Sequence, residues 1–418
     1  MTSARRIAAG GAIATAAAAA LTLAAKAGGR WAVGRTEARL CTTAQLPPYM
    51  ASERARALHA ELWVADLHAD SLLWGRDLLQ RGSHGHVDVP RLLEGNVALQ
   101  VLAASTKSPR HLNLDRNDDR SDDVVLLAIA LGWPPATWRR LLPRALYMAS
   151  RADRFAARSD GRLRIIRTAA DLAAYDADRG ARPDITAGLL AIEGAHALDG
   201  DPANVDIVAD AGFRMMGPAH FFDNAFAGSA HGVEKGGLTD LGREMVQRME
   251  GRSMLVDVAH ASSATVDDVV AMARRPVIAS HTGLRGVVDS VRNLTDAQAR
   301  AIAGTGGVLG IGFWPTVCGG TGAGDIARAI AHAIHVAGIE HVALGSDFDG
   351  AVPVPFDATG LILLTDALIE AGLDDDAIQK VMGGNVHRLL AETLPPGDQT
   401  NGAISSAALA APSVSTGR

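Results

Sequence analysis

The stretch HVALGSDFDG, residues 341–350, places a short apolar run directly before two carboxylates, Asp347 and Asp349. Eight runs of this kind recur along the chain, and helical patterns separate them. Buried parallel strands have near-continuous apolar sequences because helices cover their outer faces. The alternation therefore predicts an α/β protein with a (β/α)8, TIM-like barrel. The predicted strands are Leu62–Leu67, Val97–Ala103, Gly188–Ile192, Phe213–Pro218, Ser253–Val258, Pro276–Ser280, Gly307–Phe313 and His341–Ser346.

The barrel domain is predicted to span residues 52–394. Residues 28–51 contain turn-forming pairs and little apolar periodicity, which is typical of a linker. Residues 105–186, between the second and third strands, are too many for one helix, so we expect a mostly helical insertion that could cover the mouth of the site. Residues 395–418 lack the bulky side chains that form a core and are predicted to be a disordered tail.

Residues 1–27 have the pattern of an export signal. Arg5 and Arg6 precede an uncharged stretch from Ile7 to Ala25, and a small-x-small sequence follows. The protein is therefore expected to be exported, to the periplasm or to the outside of the cell. The same stretch is barely long and apolar enough to span a bilayer, so cleavage and retention as a membrane anchor both remain open.

The composition narrows the range of partners. The chain of 418 residues is 48% hydrophobic and 21% charged, which suits an α/β protein with a sizeable core. A net charge of −6 gives no reason to expect nucleic acid as a partner, whereas chemistry on small molecules stays open. Cys41 and Cys318 form no CxxC pair, so a metal would have to be held by histidines and carboxylates. The number of subunits stays open, a homodimer included.

Side chains able to bind a metal follow several predicted strands. His68 and Asp70 are two residues apart, so on an extended chain they project to the same side and could grip one cation. Glu193 directly follows the third strand, where a solvated residue or a helix cap would also fit. A carboxylate has two oxygens, however, and can hold two divalent ions about 3.5–4 Å apart. Because the active sites of such barrels lie at the carboxyl ends of the strands, these side chains are expected to converge.

Two histidines follow neighbouring strands. His260 comes after the fifth strand and His281 after the sixth, and imidazole is a ligand that suits zinc. A lone histidine in either place would more often be a hydrogen-bonded core residue, whereas two on successive strands favour a metal site. Asp347, after the eighth strand, is the candidate acid/base, since a carboxylate beside metal-bound water can accept its proton and pass it to a leaving amine.

Taken in order, these pieces resemble the membrane dipeptidase family, also called renal dipeptidase-like metallopeptidases. They span residues 66–350, and a further family-like pair, Gly384-Asn385, follows them. Each piece is short and weakly specific, whereas the set in this order is a specific signal. The matching pieces are Asp66-Leu67-His68-Ala69-Asp70, Ile192-Glu193-Gly194, Gly237-Leu238-Thr239-Asp240-Leu241-Gly242-Arg243-Glu244, Asp257-Val258-Ala259-His260, Ser280-His281, Arg292-Asn293 and Gly345-Ser346-Asp347-Phe348-Asp349-Gly350.

The resemblance implies a cofactor of two zinc ions per chain. It implies that His68 and Asp70 hold one ion and that His260 and His281 hold the other. By the same resemblance, Glu193 bridges the two ions.

The resemblance also implies roles in catalysis and substrate binding. Asp347 would be the catalytic acid/base, His220 would contact the substrate near the scissile bond, and Arg292 would bind the terminal carboxylate of the substrate. A planar guanidinium suits that task because it can donate two parallel hydrogen bonds to a carboxylate. His220 could instead be a packed loop residue, and Arg292 could form a surface ion pair.

The implied reaction is the hydrolysis of a free dipeptide by a water or hydroxide shared by the two ions. Another metal-dependent hydrolase on the same barrel, such as a lactonase, deacylase or phosphoesterase, stays open because fold and metals do not determine the substrate. An exported binding protein without turnover is the alternative from another class, and the intact set of ligands argues against it. No role is predicted for five other histidines, His84, His86, His111, His196 and His231.

Overall fold

The computed structural model describes residues 27–397. Among these residues, nine strands form one sheet in which every pair of strands is parallel. The sheet is the scaffold of the molecule. Its strands are β1 (Val64–Ala69), β2 (Val97–Ser105), β3 (Leu163–Ile166), β4 (Thr186–Glu193), β5 (Phe213–Met216), β6 (Leu255–Asp257), β7 (Val277–Thr282), β8 (Leu309–Ile311) and β9 (Val342–Leu344).

Eight of these strands close into a barrel. Strand β1 pairs with β2 on one side and with β9 on the other, and β2 pairs directly with β4 over seven residue pairs, from Leu99↔Ala187 to Ser105↔Glu193. The order around the ring is β1, β2, β4, β5, β6, β7, β8, β9. Each predicted run overlaps one strand of this ring, which confirms the (β/α)8 barrel.

The insertion between β2 and β4 is mostly helical, but it also contains a strand that was not predicted. Strand β3 pairs with the first half of β4, from Leu163↔Thr186 to Ile166↔Leu189, whereas β5 pairs with the second half. It therefore lies outside the ring, near the amino end of β4.

Helices surround the ring. Several begin at a side chain that accepts a hydrogen bond from the backbone. In the capping boxes that begin at Thr168 and Thr295, the side chains of two residues three positions apart each accept a hydrogen bond from the backbone N–H of the other. The helices are α1 (27–40), α2 (Glu53–Glu61), α3 (Val89–Glu94), α4 (Val124–Ala130), α5 (Leu141–Arg158), α6 (Ala169–Ala181), α7 (Asn204–Asp210), α8 (Asp240–Gly251), α9 (Ser263–Met272), α10 (Asp296–Gly304), α11 (Pro315–Cys318), α12 (Ala323–Ala337), α13 (Leu361–Glu370), α14 (Asp375–Gln379) and α15 (Asn385–Thr393).

The core has two layers, and the alternation of strand β4 separates them. Leu189 and Ala191 pack in the cluster inside the ring, whereas Leu190 and Ile192 pack in the larger cluster between the strands and the helices. Glu193 continues the inward series by one more step of two residues. The end of β4 therefore directs this carboxylate into the mouth of the barrel.

The segment expected to be a linker is packed onto the barrel. Residues 27–40 are helical, and Val33 and Glu37 of this helix are buried. Further on, Ala44 N donates a hydrogen bond to Val354 O at 2.9 Å, in the loop after β9. Residues 27–51 thus form part of the folded unit, which differs from the linker expected from the sequence.

The two ends of the chain carry predictions that the structure leaves open. The predicted export signal covers residues 1–27, of which residues 1–26 lie outside the described residues, as do residues 398–418 of the predicted tail. At the boundary, Pro395 O accepts a hydrogen bond from Ala169 N at 2.9 Å. Within residues 27–397, no helix has the length and apolarity needed to cross a membrane. Export and a membrane tether therefore stay predictions.

Candidate metal centre

The side chains singled out from the sequence converge at the carboxyl end of the ring. His68 lies on β1, Glu193 ends β4 and His281 lies on β7, whereas the others follow strand ends in the loops. All eight are buried. The set is His68, Asp70, Glu193, His220, His260, His281, Arg292 and Asp347.

Glu193 is the centre of this set. Its Oε1 lies 3.1 Å from His260 Nε2, 3.3 Å from His281 Nε2 and 3.6 Å from His68 Nε2. Its Oε2 lies 3.3 Å from His220 Nε2. One carboxylate is therefore within contact distance of imidazoles from four different strands or strand-end loops.

The ligand atoms form three overlapping groups, each within 4.8 Å, which share Glu193 or His68. These groups pair His281 with His68 and pair His220 with His260, whereas the resemblance pairs His260 with His281. The two arrangements differ little, because His260 Nε2 and His281 Nε2 are only 3.0 Å apart. The groups are His68 with Glu193 and His281, Glu193 with His220 and His260, and His68 with Asp70 and Asp347.

The electrostatics of the site favour a bound cation. Burial raises the pKa of Glu193 well above its usual value and that of Asp347 to about 8, and the negative charge of Asp70 adds to both shifts. Burial would lower the pKa of His68, yet Glu193 and Asp70 outweigh it and raise this pKa to about 10. A proton on His68 thus offsets part of the buried negative charge, as a divalent ion would do more fully.

The nitrogen donors also fit a metal. Burial lowers the pKa of His260 and of His281 well below the usual value, so both rings are neutral and keep a free lone pair. His68 Nε2 and Asp70 Oδ1 are buried without a hydrogen-bond partner. Buried polar atoms of this kind are costly unless something binds them, and neutral imidazoles beside carboxylates are the donor set of zinc sites.

Asp66 connects the first strand with the loop that carries Asp347. Its carboxylate accepts hydrogen bonds from Ser346 N at 2.7 Å, from Ser346 Oγ at 2.7 Å and from Gln100 Nε2 at 2.5 Å. Ser346 Oγ also lies 3.2 Å from His68 O. This buried network positions His68 and Asp347 relative to each other.

Asp257 does the same for the two histidines on the other side. It accepts hydrogen bonds from Ala259 N at 3.0 Å, from Ser280 N at 2.8 Å and from Ser280 Oγ at 2.6 Å. Ser280 Oγ in turn lies 2.7 Å from His281 Nδ1. The hydrogen bond at Nδ1 orients the ring and directs its Nε2 toward Glu193.

The backbone is strained where two of these side chains leave it. His260 has φ 62° and Asp347 has φ 61°, in the left-handed region that few residues other than glycine adopt. Such conformations persist where the surrounding structure enforces them, and they cluster at functional sites. The strain lets both side chains turn back over the mouth of the ring.

Arg292 lies deep on the β7 side of the site. Its guanidinium donates a hydrogen bond to His281 O at 2.6 Å and stacks over the Trp314 ring at 5.5 Å. Burial lowers its pKa, although Asp347 and Glu193 oppose this shift. A buried guanidinium with free donors facing a cavity suits the recognition of an anionic group.

His196 and His231, for which no role was predicted, lie against the site. The His196 ring is stacked at 6.4 Å on that of His220, and neither of its nitrogens has a partner, while burial lowers its pKa to about 3. The His231 ring lies 5.2 Å from that of His260, and its Nδ1 bonds to Leu114 O at 2.7 Å. In the sequence, the only local indication that His196 lies near the site was that it follows Glu193, the carboxylate at the end of the predicted third strand, by three residues.

A cavity of about 810 Å³ opens above these residues. Asp70, Glu193, His260, Arg292 and Asp347 line its base, whereas the outer walls come from α1, from the insertion and from the loop after β9. The insertion does reach the mouth of the site, as the sequence suggested.

Known proteins share this architecture. The family model described as membrane dipeptidase, peptidase family M19, matches residues 52–400. Dipeptidase verJ of Clonostachys rogersoniana is 31% identical over 324 residues, which are 73% of this chain and 82% of verJ. The solved structure of dipeptidase AC, a metallopeptidase of family M19, has a TM-score of 0.64 and 28% identity, and the match covers 80% of this chain and 99% of that one.

A second solved structure was determined with a ligand. The metallopeptidase of Rhodobacter sphaeroides, which binds a phosphinate mimic of the dipeptide L-Ala-D-Ala, has a TM-score of 0.63 and 27% identity, with 79% of this chain and 99% of that chain covered. The family match, the closed barrel and the cluster around Glu193 agree with one another. The chain belongs to the membrane dipeptidase family, peptidase family M19, and is an enzyme of its metallo-dipeptidase class.

Proposed function

We propose that this enzyme hydrolyses free dipeptides and that its active form carries two zinc ions. The observation that carries the proposal is the convergence of four imidazoles and two further carboxylates around Glu193, with Arg292 buried at the base of the same cavity. His68 and Asp70 would hold one ion, His260 and His281 the other, and Glu193 both. When bound, such a pair of ions supplies an activated water and polarises the peptide carbonyl.

Asp347 is the proposed acid/base. Its carboxylate belongs to the group of ligand atoms formed with His68 and Asp70, and burial raises its pKa to about 8, so the ionised carboxylate is a stronger base than an exposed aspartate. It takes a proton from the attacking water and delivers it to the nitrogen of the leaving amine. His220, whose Nε2 lies 3.3 Å from Glu193 Oε2, would contact the substrate beside the scissile bond.

Arg292 is the proposed anchor for the terminal carboxylate. A guanidinium can bind a carboxylate through two parallel hydrogen bonds, and burial strengthens that pairing by excluding water. The Rhodobacter sphaeroides relative binds a dipeptide mimic, which supports a substrate of this length for the present chain. A carboxylate held at the base of the site would place the peptide bond near Glu193 and would exclude longer carboxyl-terminal extensions.

The first test follows cleavage of Leu-Ala by the zinc-loaded enzyme, by the enzyme after full metal removal, and after zinc is restored. We expect about two zinc ions per chain and a loss of activity that zinc reverses. Activity that survives complete metal removal contradicts the proposal, as does a chain that binds no metal.

The second test separates a dipeptidase from a deacylase or a lactonase on the same barrel. Leu-Ala is compared with Leu-Ala-amide, which lacks the carboxylate, and with 4-methylpentanoyl-alanine, which lacks the amino group. We expect Arg292→Ala to lower kcat/KM for Leu-Ala about 100-fold or more while barely changing the slow cleavage of the amide, because only the carboxylate needs the guanidinium. Preferential cleavage of the acyl substrate or of lactones would assign the chain to another hydrolase class.

A further inference from the structure

Part of the cavity lining is an apolar wall built by four separate segments. Leu40 belongs to α1, Val124 and Leu127 belong to α4, and Leu73 and Val352 belong to the loops after β1 and β9. Leu126 of α4 also lines the cavity, although its side chain is 54% exposed. We call these residues the apolar wall. It joins loops that follow β9, β1 and β2, which are neighbours in the ring.

Arg292 lies across the ring from the α4 part of this wall. It follows β7, whereas α4 follows β2, which is four places away in the ring of eight, the opposite position; β9 and β1 are two and three places from β7. A dipeptide whose carboxylate is held by Arg292 and whose peptide bond lies over Glu193 therefore extends its amino-terminal residue toward α4.

Buried ion pairs hold helix α1 against the barrel. Arg76 Nε donates to Glu37 Oε1 at 2.5 Å, and the same guanidinium donates to Asp349 Oδ2 at 2.7 Å. Glu37 and Asp349 are both completely buried. The helix that supplies Leu40 is thereby connected to the loop that carries Asp347. It precedes residue 52, where the match to the family model begins.

From this geometry we propose that the apolar wall binds the side chain of the amino-terminal residue, so that the enzyme prefers dipeptides whose first residue is large and apolar. Helix α1 is then a specificity element that lies outside the part of the chain matched by the family model. The inference rests on the proposed dipeptidase function and narrows its substrate class. A cavity of about 810 Å³ has room for such a side chain beside the dipeptide backbone.

The test compares two series of dipeptides, X-Ala and Ala-X, in which X is Gly, Ala, Leu or Phe. We expect kcat/KM to rise about 10- to 100-fold from Gly-Ala to Phe-Ala, as burial of a large apolar side chain predicts, and to vary much less along Ala-X. A flat X-Ala series, or a steeper Ala-X series, overturns the inference. If no dipeptide is cleaved by the zinc-loaded enzyme, the proposed function fails instead, so the two failures are distinguishable.

Variants assign the preference to the wall. Leu126→Ala and Leu40→Ala are expected to lower the ratio of kcat/KM for Phe-Ala to that for Gly-Ala about three- to tenfold each. Thr36→Trp, from the cavity-lining face of α1, is expected to fill the space and lower the same ratio further. Leu241→Ala is the matched control, since Leu241 is a 39% exposed leucine on α8 that does not line the cavity. If the ratio of kcat/KM for Phe-Ala to that for Gly-Ala equals that of Leu241→Ala in all three variants, the preference does not come from the apolar wall.

Discussion

At the scale of single residues, Asp66 has a larger role than its distance from the substrate suggests. It accepts both hydrogen bonds of Ser346 and one from Gln100, all below the site. The carboxylate therefore acts through the loop that carries Asp347 and through the strand that carries His68. It is a positioning residue for one half of the centre.

We predict that Asp66→Asn lowers kcat or zinc affinity about 10- to 100-fold, the usual cost of losing an outer hydrogen-bond partner of a metal site. Asparagine keeps only one acceptor oxygen, so its amide nitrogen would face either Ser346 N or the pair of Ser346 Oγ and Gln100 Nε2, and the hydrogen bonds on that side would be lost. Steady-state kinetics with zinc titration measure the effect. Asp375→Asn, at a side chain 63% exposed, is the control, and equal behaviour of the two variants would argue against a positioning role.

The sequence predicted the positions of the main site residues because each follows a recognisable strand, and parallel strands bring their carboxyl ends together. The closeness of His196 to His220 could not be predicted this way. Gly194 has φ 95°, so the chain turns back immediately after Glu193 and places the His196 ring beside that of His220. Nothing in the local pattern specifies that turn.

At the scale of elements, the contact between α1 and α4 depends on a glycine. A Cβ built on Gly29 would collide with the carbonyl oxygen of Ala130, whereas one on Gly28 would meet nothing within 4 Å. The two helices can therefore approach only because residue 29 has no side chain. This contact packs the amino-terminal end of α1 against the insertion.

We predict that Gly29→Val detaches α1 and makes residues 27–51 sensitive to limited proteolysis, with a loss of about 1–3 kcal/mol in the free energy of unfolding, as overpacking typically costs. Gly28→Val is the matched control, because it makes the same change one residue away without the collision. The measurement is the rate of proteolysis together with thermal unfolding. Equal rates for the two variants would refute the importance of this contact.

Two elements escaped prediction for physical reasons. Strand β3 has four residues and includes the half-buried Arg164, so it shows neither a continuous apolar run nor a clean alternation. Helix α1 contacts the core through the widely spaced apolar residues Val33 and Leu40 and through the buried ion pair of Glu37 with Arg76, so it shows no continuous apolar stripe. Hydrophobic periodicity detects neither kind of packing, which is why this segment was expected to be a linker.

At the scale of the whole molecule, the metal centre is also a source of stability. Asp70, Glu193 and Asp347 are buried together, and the charge of Asp70 raises the cost of ionising both Glu193 and Asp347. A cation that binds only the folded chain offsets this cost and shifts the unfolding equilibrium by mass action.

We predict that removing the metal lowers the unfolding temperature and that zinc at about 100 times its Kd restores about 2.7 kcal/mol of stability. Scanning calorimetry with and without a chelator measures the change. Glu193→Gln is expected to lose most of the zinc-dependent part, since it removes the carboxylate that we propose as a ligand of both ions. An unfolding temperature independent of zinc would show that the ligands do not bind it in the folded chain.

Because β1 pairs with β9, the barrel is closed only when the last strand is in place. Ser346 N donates a hydrogen bond to the carboxylate of Asp66, 280 positions earlier in the chain, and residues 42–45, just after α1, form backbone hydrogen bonds with residues 354 and 355, beyond β9. His68 and Asp70 are synthesised long before the later strands, and until β9 is present they lie at an unpaired edge of the sheet. We therefore expect hydrolytic activity only after β9 has paired with β1. A nascent chain that lacks β9 is expected to be inactive.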